Sequence, residues 1–551
     1  MTAIPDDTVT GPDSTQNRVK EFLLNPASYP HRPRRVRLVE THSAMVFIAG
    51  PLVYKLKKAV NLGFLDFSTL EKRRFDCERE ISLNGRLTTD LYLGVTSILI
   101  RDGVLMFGVE SDRGDSGERG DVVEYAVKMR TMSSRYFLNR LMERGVVDTG
   151  EIDRIVQALG KFYGATPTTA RIEEWGRVDH LKISTDENFR QTEGFVGTAL
   201  SRAAFETIRF YTDEFYRREE ALFESRVSGR WIRDGHGDLR MEHVHLAPKM
   251  LNIFDCVEFN DRLRYVDVAN DLAFLVMEFD LAGRSDLGRY FASRMAGVLG
   301  DTAMPRLLDF YKCYRAYVRG KVAAIQSAAD TTPTKERPTR LAGARLNYRQ
   351  SLRYAVAGSD PLVLAVVGRA GSGKSAMSRA LGGELGWPVF SSDQTRKEIA
   401  GRPLFERGDA ASRATLYSNE MTCQTYDKLL NGAANLAGQG KSVILDATFG
   451  RRAQREQLRA KMGELGFALR IVEAQADDET VRRRLRERDT RRDEVSDARL
   501  KDFEVLARAY EPPSIPEGTG LCVVSTAGSP EETVAATLRL LTRSRFGSGE
   551  R

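Results

Sequence analysis

Between residues 35 and 130 the apolar positions come in short runs, VRLVE, MVFIA, LVYKLKK, VTSILI, VLMFGVE and YAVKM. Each run is bounded by charged or turn-forming residues, as in the half-buried strands of an antiparallel sheet. One stretch, KRRFDCEREISLNGRL, spaces its apolar side chains at helical intervals instead, so one helix is expected against that sheet. From 134 to 230 the helical period dominates, as in EIDRIVQALGKFYGA and AAFETIRFYTDEFYRREEALF. The pattern predicts a two-lobed α+β domain over residues 16–325. Residues 326–358 are polar, contain Pro333 and Pro338, and regain a helical period only near their end, which reads as a linker. A wholly apolar run, LVLAVV at 362–367, then opens a second domain over 359–543. Strands apolar on both faces belong to parallel sheets covered on both sides, so an α/β three-layer domain with a mostly parallel sheet is expected. The first fifteen residues and the tail from Ser544 are polar and are expected to be disordered.

Directly after LVLAVV stands Gly368-Arg-Ala-Gly371-Ser372-Gly373-Lys374-Ser375, followed by a helix-favouring stretch. Glycines at this spacing let backbone N–H groups turn toward phosphate oxygens, and the next helix adds its positive N-terminal end. Lys374 is placed to reach the β- and γ-phosphates and the Ser375 hydroxyl to hold Mg²⁺. ATP or GTP binding follows. Further on, VFSSD ends in Asp393, with Arg396 three residues later. Strand ends face the nucleotide in such sheets, so Asp393 is the candidate general base and Arg396 the candidate clamp on the acceptor. Asp446, at the end of the apolar run in SVILDAT, suits support of Mg²⁺. Seven arginines lie between Arg482 and Arg492. Arg484 and Arg488, one helical turn apart, are candidates for a lid closing over the phosphates. This ordered set resembles the small P-loop kinases that include zeta-toxin-like, polynucleotide-kinase-like and gluconate-kinase-like members, over about residues 361–540. That resemblance implies phosphoryl transfer to a hydroxyl and leaves the acceptor open.

In the helical part of the first domain stands His236-Gly-Asp238-Leu-Arg-Met-Glu-His243, followed by Ile253-Phe-Asp255 and Tyr265-Val-Asp267. These spacings resemble the catalytic and metal-binding segments of the aminoglycoside phosphotransferase family, which shares the protein-kinase fold. The resemblance implies that Asp238 handles the acceptor proton, that Asp255 binds Mg²⁺, and that Asp267 is structural. Lys55, at the end of an apolar run, would contact the nucleotide while paired with Glu80, with Lys57 on the same face as an alternative. Residues 124–129, ending at Met129, would form the hinge against which adenine packs. Where the family has an asparagine this chain has His243, a less natural Mg²⁺ ligand than an amide oxygen. The glycine-rich GxGxxG loop is also absent. The whole chain resembles bacterial two-domain proteins described as bifunctional aminoglycoside phosphotransferase and ATP-binding protein.

Composition narrows the alternatives. Hydrophobic residues make up 42% and charged residues 29%, and no apolar run approaches the roughly 18 residues of a membrane span. With no basic segment leading into an apolar one at the N-terminus, a cytoplasmic location is expected. The five cysteines lack CxxC spacing, which speaks against disulfides and zinc. A net charge of +7, with acids interspersed, suits anionic ligands. It favours a small hydroxyl-bearing acceptor, with a nucleic-acid end as a weaker alternative motivated by the arginine-rich helix. His245 is expected to face solvent or to pack rather than to bind a metal, and the aromatic residues Trp175, Phe210, Tyr211 and Phe215 to form core or the wall of an acceptor pocket rather than a stacking platform for nucleic acid.

Overall fold

The structure, a computed structural model, describes residues 12–547 apart from 42, 62, 64, 109–119, 331, 407, 492 and 514–520. Contacts divide the chain into two compact units, one of residues 1–181 and 221–308 and one of 182–220 and 309–551.

The first unit begins with an antiparallel six-stranded sheet formed by β1 (Val36–Glu40), β2 (Ala44–Ala49), β3 (Leu52–Lys57), β4 (Tyr92–Arg101), β5 (Val104–Phe107) and β6 (Asp121–Arg130). Their order across the sheet is β1-β2-β3-β6-β4-β5. One face buries Met45, Phe47, Tyr54, Leu56 and Ile98 with Val19, Leu23 and Tyr29. The other packs Val127 and Met129 against Leu91 and Cys77 of the helix Leu70–Asn84. That helix starts where the Thr69 hydroxyl accepts the Lys72 N–H, an N-cap. The expected sheet with one helix is present. Two short antiparallel ribbons follow: β7 (Ile232–Asp234) pairs with β10 (Tyr265–Asp267), and β8 (Val244–Ala247) with β9 (Met250–Ile253). They lead into the almost wholly buried helix Val268–Leu281. Arg226 fixes this region by bonding Asp267 at 2.7 and 2.8 Å and Asp301 at 2.5 Å, all three side chains being 1% exposed.

The second unit is built on a parallel sheet of β11 (Leu362–Val367), β12 (Val389–Ser391), β13 (Val443–Asp446), β14 (Ala468–Gln475) and β15 (Leu521–Ser525). The order is β12-β13-β11-β14-β15, with every pairing parallel. All six residues of β11 are buried at its centre, as the unbroken apolar run requires. On one face Tyr426, Leu429, Leu430 and Leu458 from two helices pack on β11 and β13. Connections leave the central strand toward both edges, which opens a crevice at the C-terminal ends of the strands.

Three boundaries differ from expectation. Residues 337–356 form one helix burying Tyr348, Leu352 and Tyr354, so apolar packing fixes much of the segment read as a linker. The helix Arg202–Arg218 and residues 309–325 belong by their contacts to the second unit. Phe215 stacks on Phe310 at 4.3 Å and Tyr211 lies 5.7 Å from Phe546, so Tyr211, Phe215 and Phe310 are core, and the half-buried Phe546 of the expected tail packs against them. A helix begins at Pro12 and another runs to Arg545; residues 1–11 and 548–551 lie outside the described residues. No described helix is long and apolar enough to cross a membrane.

Candidate active sites

In the first unit, alternation along β3 puts Lys55 and Lys57 on one face, yet their surroundings differ. Lys57 is 1% exposed, with Asp76 at 2.6 Å, Glu80 at 2.9 Å and Glu258 in close contact. Lys55 retains some exposure and lies 2.9 Å from both Glu80 and Asp255. Of the two lysines, Lys55 is therefore the more accessible, and Lys57 lies in the core beside it. Burial opposes both ammonium charges, but the surrounding carboxylates outweigh it and hold both lysines well above their usual range. Two ammonium groups face four carboxylates, and one acid is left reluctant to ionise: burial, only partly offset by Lys57 and reinforced by Glu80, pushes Glu258 up to about 7.

Asp255 has φ of 61°, a left-handed conformation that costs a non-glycine residue on the order of 1–3 kcal/mol and clusters at functional positions. Its enclosure would raise its pKa, but the charges of Lys55 and then His243 hold it well below the carboxylate range. His243 is buried, with Nδ1 at 2.8 Å from the Asp238 carbonyl and Nε2 at 3.4 Å from Asp255 Oδ2. Asp238, His243 and Asp255 are thus brought together. Beneath them Asp271, fully buried, accepts from the N–H groups of His236 at 2.6 Å and Gly237 at 2.9 Å and from the Tyr163 hydroxyl at 2.8 Å. It fixes the turn that carries Asp238. Asp271 was not singled out from the sequence, where one acid inside the apolar run VANDLAFLVM was the available signal. Met129 lies on β6 opposite Val53, in the apolar cluster with Cys77 and Leu91. Glu124 is held by Arg73 at 2.8 Å and Gln16 at 2.7 Å, so the proposed hinge stretch is anchored at its start. Of the two readings for His245, solvent-facing or packed, the structure has the packed one: it lies 3.1 Å from the Ser133 carbonyl and edge-on to Phe137.

In the second unit the turn after β11 gives Gly368, Gly371 and Gly373 φ values of 145°, 83° and 91°. A side chain at Gly368 would also meet the Ala474 carbonyl at 2.6 Å, so both conformation and space require glycine there. Lys374 and Ser375 open the helix Lys374–Leu385. The Ser375 hydroxyl donates to Asp446 Oδ1 at 3.2 Å, from the end of the adjacent strand β13. Burial raises the pKa of Asp446; Lys374 opposes that, and Asp393 adds to it. A cavity of about 340 Å³ lies beside the turn, lined by Gly371, Gly373, Lys374, Ser375, Arg484, Arg488 and the segment from Thr526 to Thr533. Arg484 donates to Thr526 Oγ1 at 2.9 Å and Arg488 lies 3.4 Å from Glu494. Gly371, Gly373, Lys374, Ser375, Arg484 and Arg488 therefore share one cavity, while Ser372 is buried in the turn. The segment after β15 was missed; its signal was STAGSP at the end of a strand.

Asp393 and Arg396 do not line that cavity. They occupy the helix Ser392–Ile399 on the Asp446 side, 3.5 Å apart, with the Arg396 guanidinium 4.4 Å above the Tyr417 ring. Next to them Lys397 donates to the carbonyls of Leu404 at 2.8 Å and Glu406 at 2.9 Å and lies 3.9 Å from the buried Asp497.

A glycine-rich phosphate-binding turn at the tip of the central strand of a five-stranded parallel sheet defines a P-loop domain, and residues 363–513 match the family model described as AAA domain. The chain belongs to the family of the uncharacterized protein Rv2004c of Mycobacterium tuberculosis (strain ATCC 25618 / H37Rv), being 32% identical to it over 414 residues, 75% of this chain and 78% of that protein. Among solved structures it is similar to a gluconokinase from Sinorhizobium meliloti 1021, with 18% identity, 34% of this chain and 98% of that one covered, and a TM-score of 0.26. It is also similar to the Mycobacterium tuberculosis APS kinase CysC in complex with AMPPNP and APS, with 19% identity, 33% and 98% covered, and a TM-score of 0.24.

Proposed function

We propose that this chain is an ATP-dependent phosphotransferase acting on a hydroxyl of a small molecule, with a separate nucleotide site in each unit. The observation that carries the reading is the pairing of Ser375 with the buried Asp446 at 3.2 Å, where Ser375 and Lys374 line a cavity bordered by Arg484 and Arg488. These oxygen donors suit Mg²⁺, which when bound shields the charge of the phosphate oxygens. The backbone of Gly368–Ser375 cradles the phosphates and Lys374 holds the terminal ones. Arg484 and Arg488 close on the opposite side and exclude water. Asp393 takes the proton of the acceptor hydroxyl, and Arg396, immobilised on Tyr417, orients the acceptor.

In the first unit, Lys55 braced by Glu80 positions the nucleotide, Asp238 accepts the acceptor proton, and Asp255 with His243 faces a cation. This is the arrangement implied by the resemblance to aminoglycoside phosphotransferases, and the Lys55–Glu80 and His243–Asp255 contacts support it. A small acceptor is favoured over a nucleic-acid end. Arg482, Arg483, Arg484 and Arg488 of this helix, and Arg491 just beyond it, each have a partner within the same unit, so most of its basic side chains are already engaged.

The test is transfer of labelled γ-phosphate to panels of sugars, aminoglycosides and nucleosides, after subtraction of ATP hydrolysis. One product is expected to vanish with Asp393→Asn and another with Asp238→Asn. Loss of all transfer with Asp393→Asn, and none with Asp238→Asn, would make the first unit a regulatory module.

A further inference from the structure

Beyond Asp255 in the chain, one carboxylate sits among three guanidinium groups. Asp261 Oδ1 accepts from Arg79, in direct contact, and from Arg264 at 2.7 Å, while Arg171 lies 3.7 Å from Oδ2. We propose that Asp261 is a positioning residue, a clasp that fastens the segment beginning at Asp255 to the helix carrying Glu80 and so keeps Lys55, Glu80 and Asp255 in register for a nucleotide; this rests on the nucleotide site proposed for the first unit.

Arg79 directly precedes Glu80 in the helix Leu70–Asn84. Consecutive helical side chains point about 100° apart, so while Glu80 meets Lys55 at 2.9 Å, Arg79 reaches the segment instead. A second fastener lies one turn further along the same helix, where Asn84 Oδ1 accepts the Cys256 N–H at 2.9 Å. Asp255, with its left-handed φ, is thus followed by a stretch tied down at both Cys256 and Asp261. Such strain persists where the surroundings over-determine it. The segment also abuts the turn that carries Asp238: the Val257 N–H donates to the His236 carbonyl at 3.0 Å, and a side chain at Gly237 would meet the Leu263 carbonyl at 2.9 Å. Buried Arg264 joins the two, since besides Asp261 it holds Asp234 in close contact and donates to the Val257 carbonyl at 2.7 Å. Arg79, Arg86, Arg171 and Arg264 together converge on two carboxylates, Asp234 and Asp261. Without the carboxylate at 261 Arg79 would face Arg264 alone, and burial and the charge of Arg264 already weigh against its own charge. Repulsion would then part the helix from the segment, and Glu80 from Asp255.

The test uses the full chain carrying Lys374→Ala, which silences the second unit, and measures binding of the β,γ-methylene analogue of ATP with Mg²⁺ by calorimetry, a readout that a bridge serving stability alone would not move. Asp261→Asn is expected to weaken binding about tenfold. Arg79→Gln, a change at a half-buried position that guards against a folding defect at Asp261, should cost the same, and the two changes combined should cost no more than either alone. In Asp261→Gly, sulfate at constant ionic strength should restore binding by seating among the three guanidinium groups, whereas it should not strengthen binding by the chain that keeps Asp261. Unaltered affinity in Asp261→Asn and Arg79→Gln, additive losses, or a loss that sulfate does not repair overturns the inference and leaves the nucleotide site standing. Absence of nucleotide binding by the chain that keeps Asp261 overturns both.

Discussion

In the first unit the candidate site groups, Lys55, Glu80 and Asp255, come from far apart in the chain and are held by opposed charges. In the second unit eight consecutive residues, Gly368–Ser375, hold theirs by backbone conformation. The first arrangement depends on long-range pairing: moving β3 by one residue would turn Lys55 away. The second needs only the strand, the glycines and the start of a helix. A site made of charges is thus exposed to changes in charge, and a site made of backbone to changes in φ.

The largest effect is expected at Arg226. Replacement by Met leaves Asp267 and Asp301 buried without their partner, at a cost of about 3–5 kcal/mol. Denaturant unfolding should show one transition weakened and nucleotide binding by the second unit intact; an unchanged unfolding curve would deny the charge-based account. Next, Lys374→Ala should lower phosphate transfer by the second unit about 10²–10³-fold and leave the product of the first unit unchanged. Parallel loss of both products would make the sites one system. A smaller effect, about tenfold in nucleotide affinity, is expected from Gly373→Ala through strain of about 1–3 kcal/mol at its φ of 91°. Calorimetry would expose an unaltered affinity, which would show that the turn does not depend on that conformation.

The smallest concerns pH. Glu258 is raised from 4.5 to about 7 in the folded chain, so the folded state binds more protons than the unfolded state between those values. Stability contributed by this group is present below about 4.5 and is lost as pH rises through about 7. Glu258→Gln should flatten that loss, so that the variant gains on the parent as pH rises. Parallel stability curves across the window would show that Glu258 is not the reluctant acid.

What the sequence revealed follows the same division. Gly368 to Ser375 could be read directly because local spacing determines their conformation, and the apolar run of β11 announced a covered parallel sheet. Lys55 and Glu80 were legible as a pair through the resemblance to the aminoglycoside phosphotransferases, which sets a lysine at the end of a strand against an acid of a nearby helix. The choice between Lys55 and Lys57 was not, since alternation puts both on one side and only Asp76 and Glu258, which crowd Lys57, separate them. Asp271 and the segment from Thr526 to Thr533 escaped notice because their roles arise from tertiary neighbours. The linker was misjudged because prolines and polar residues mark loops, while the buried Tyr348, Leu352 and Tyr354 that fix the helix there depend on packing partners distant in the chain.

Nucleotide stoichiometry measured by calorimetry on the full chain tests the claim of two independent sites most directly. Two ATP molecules per chain are expected, falling to one with Lys374→Ala, to one with Lys55→Ala, and to none when both changes are combined. A single site that disappears with Lys374→Ala and persists with Lys55→Ala would contradict it.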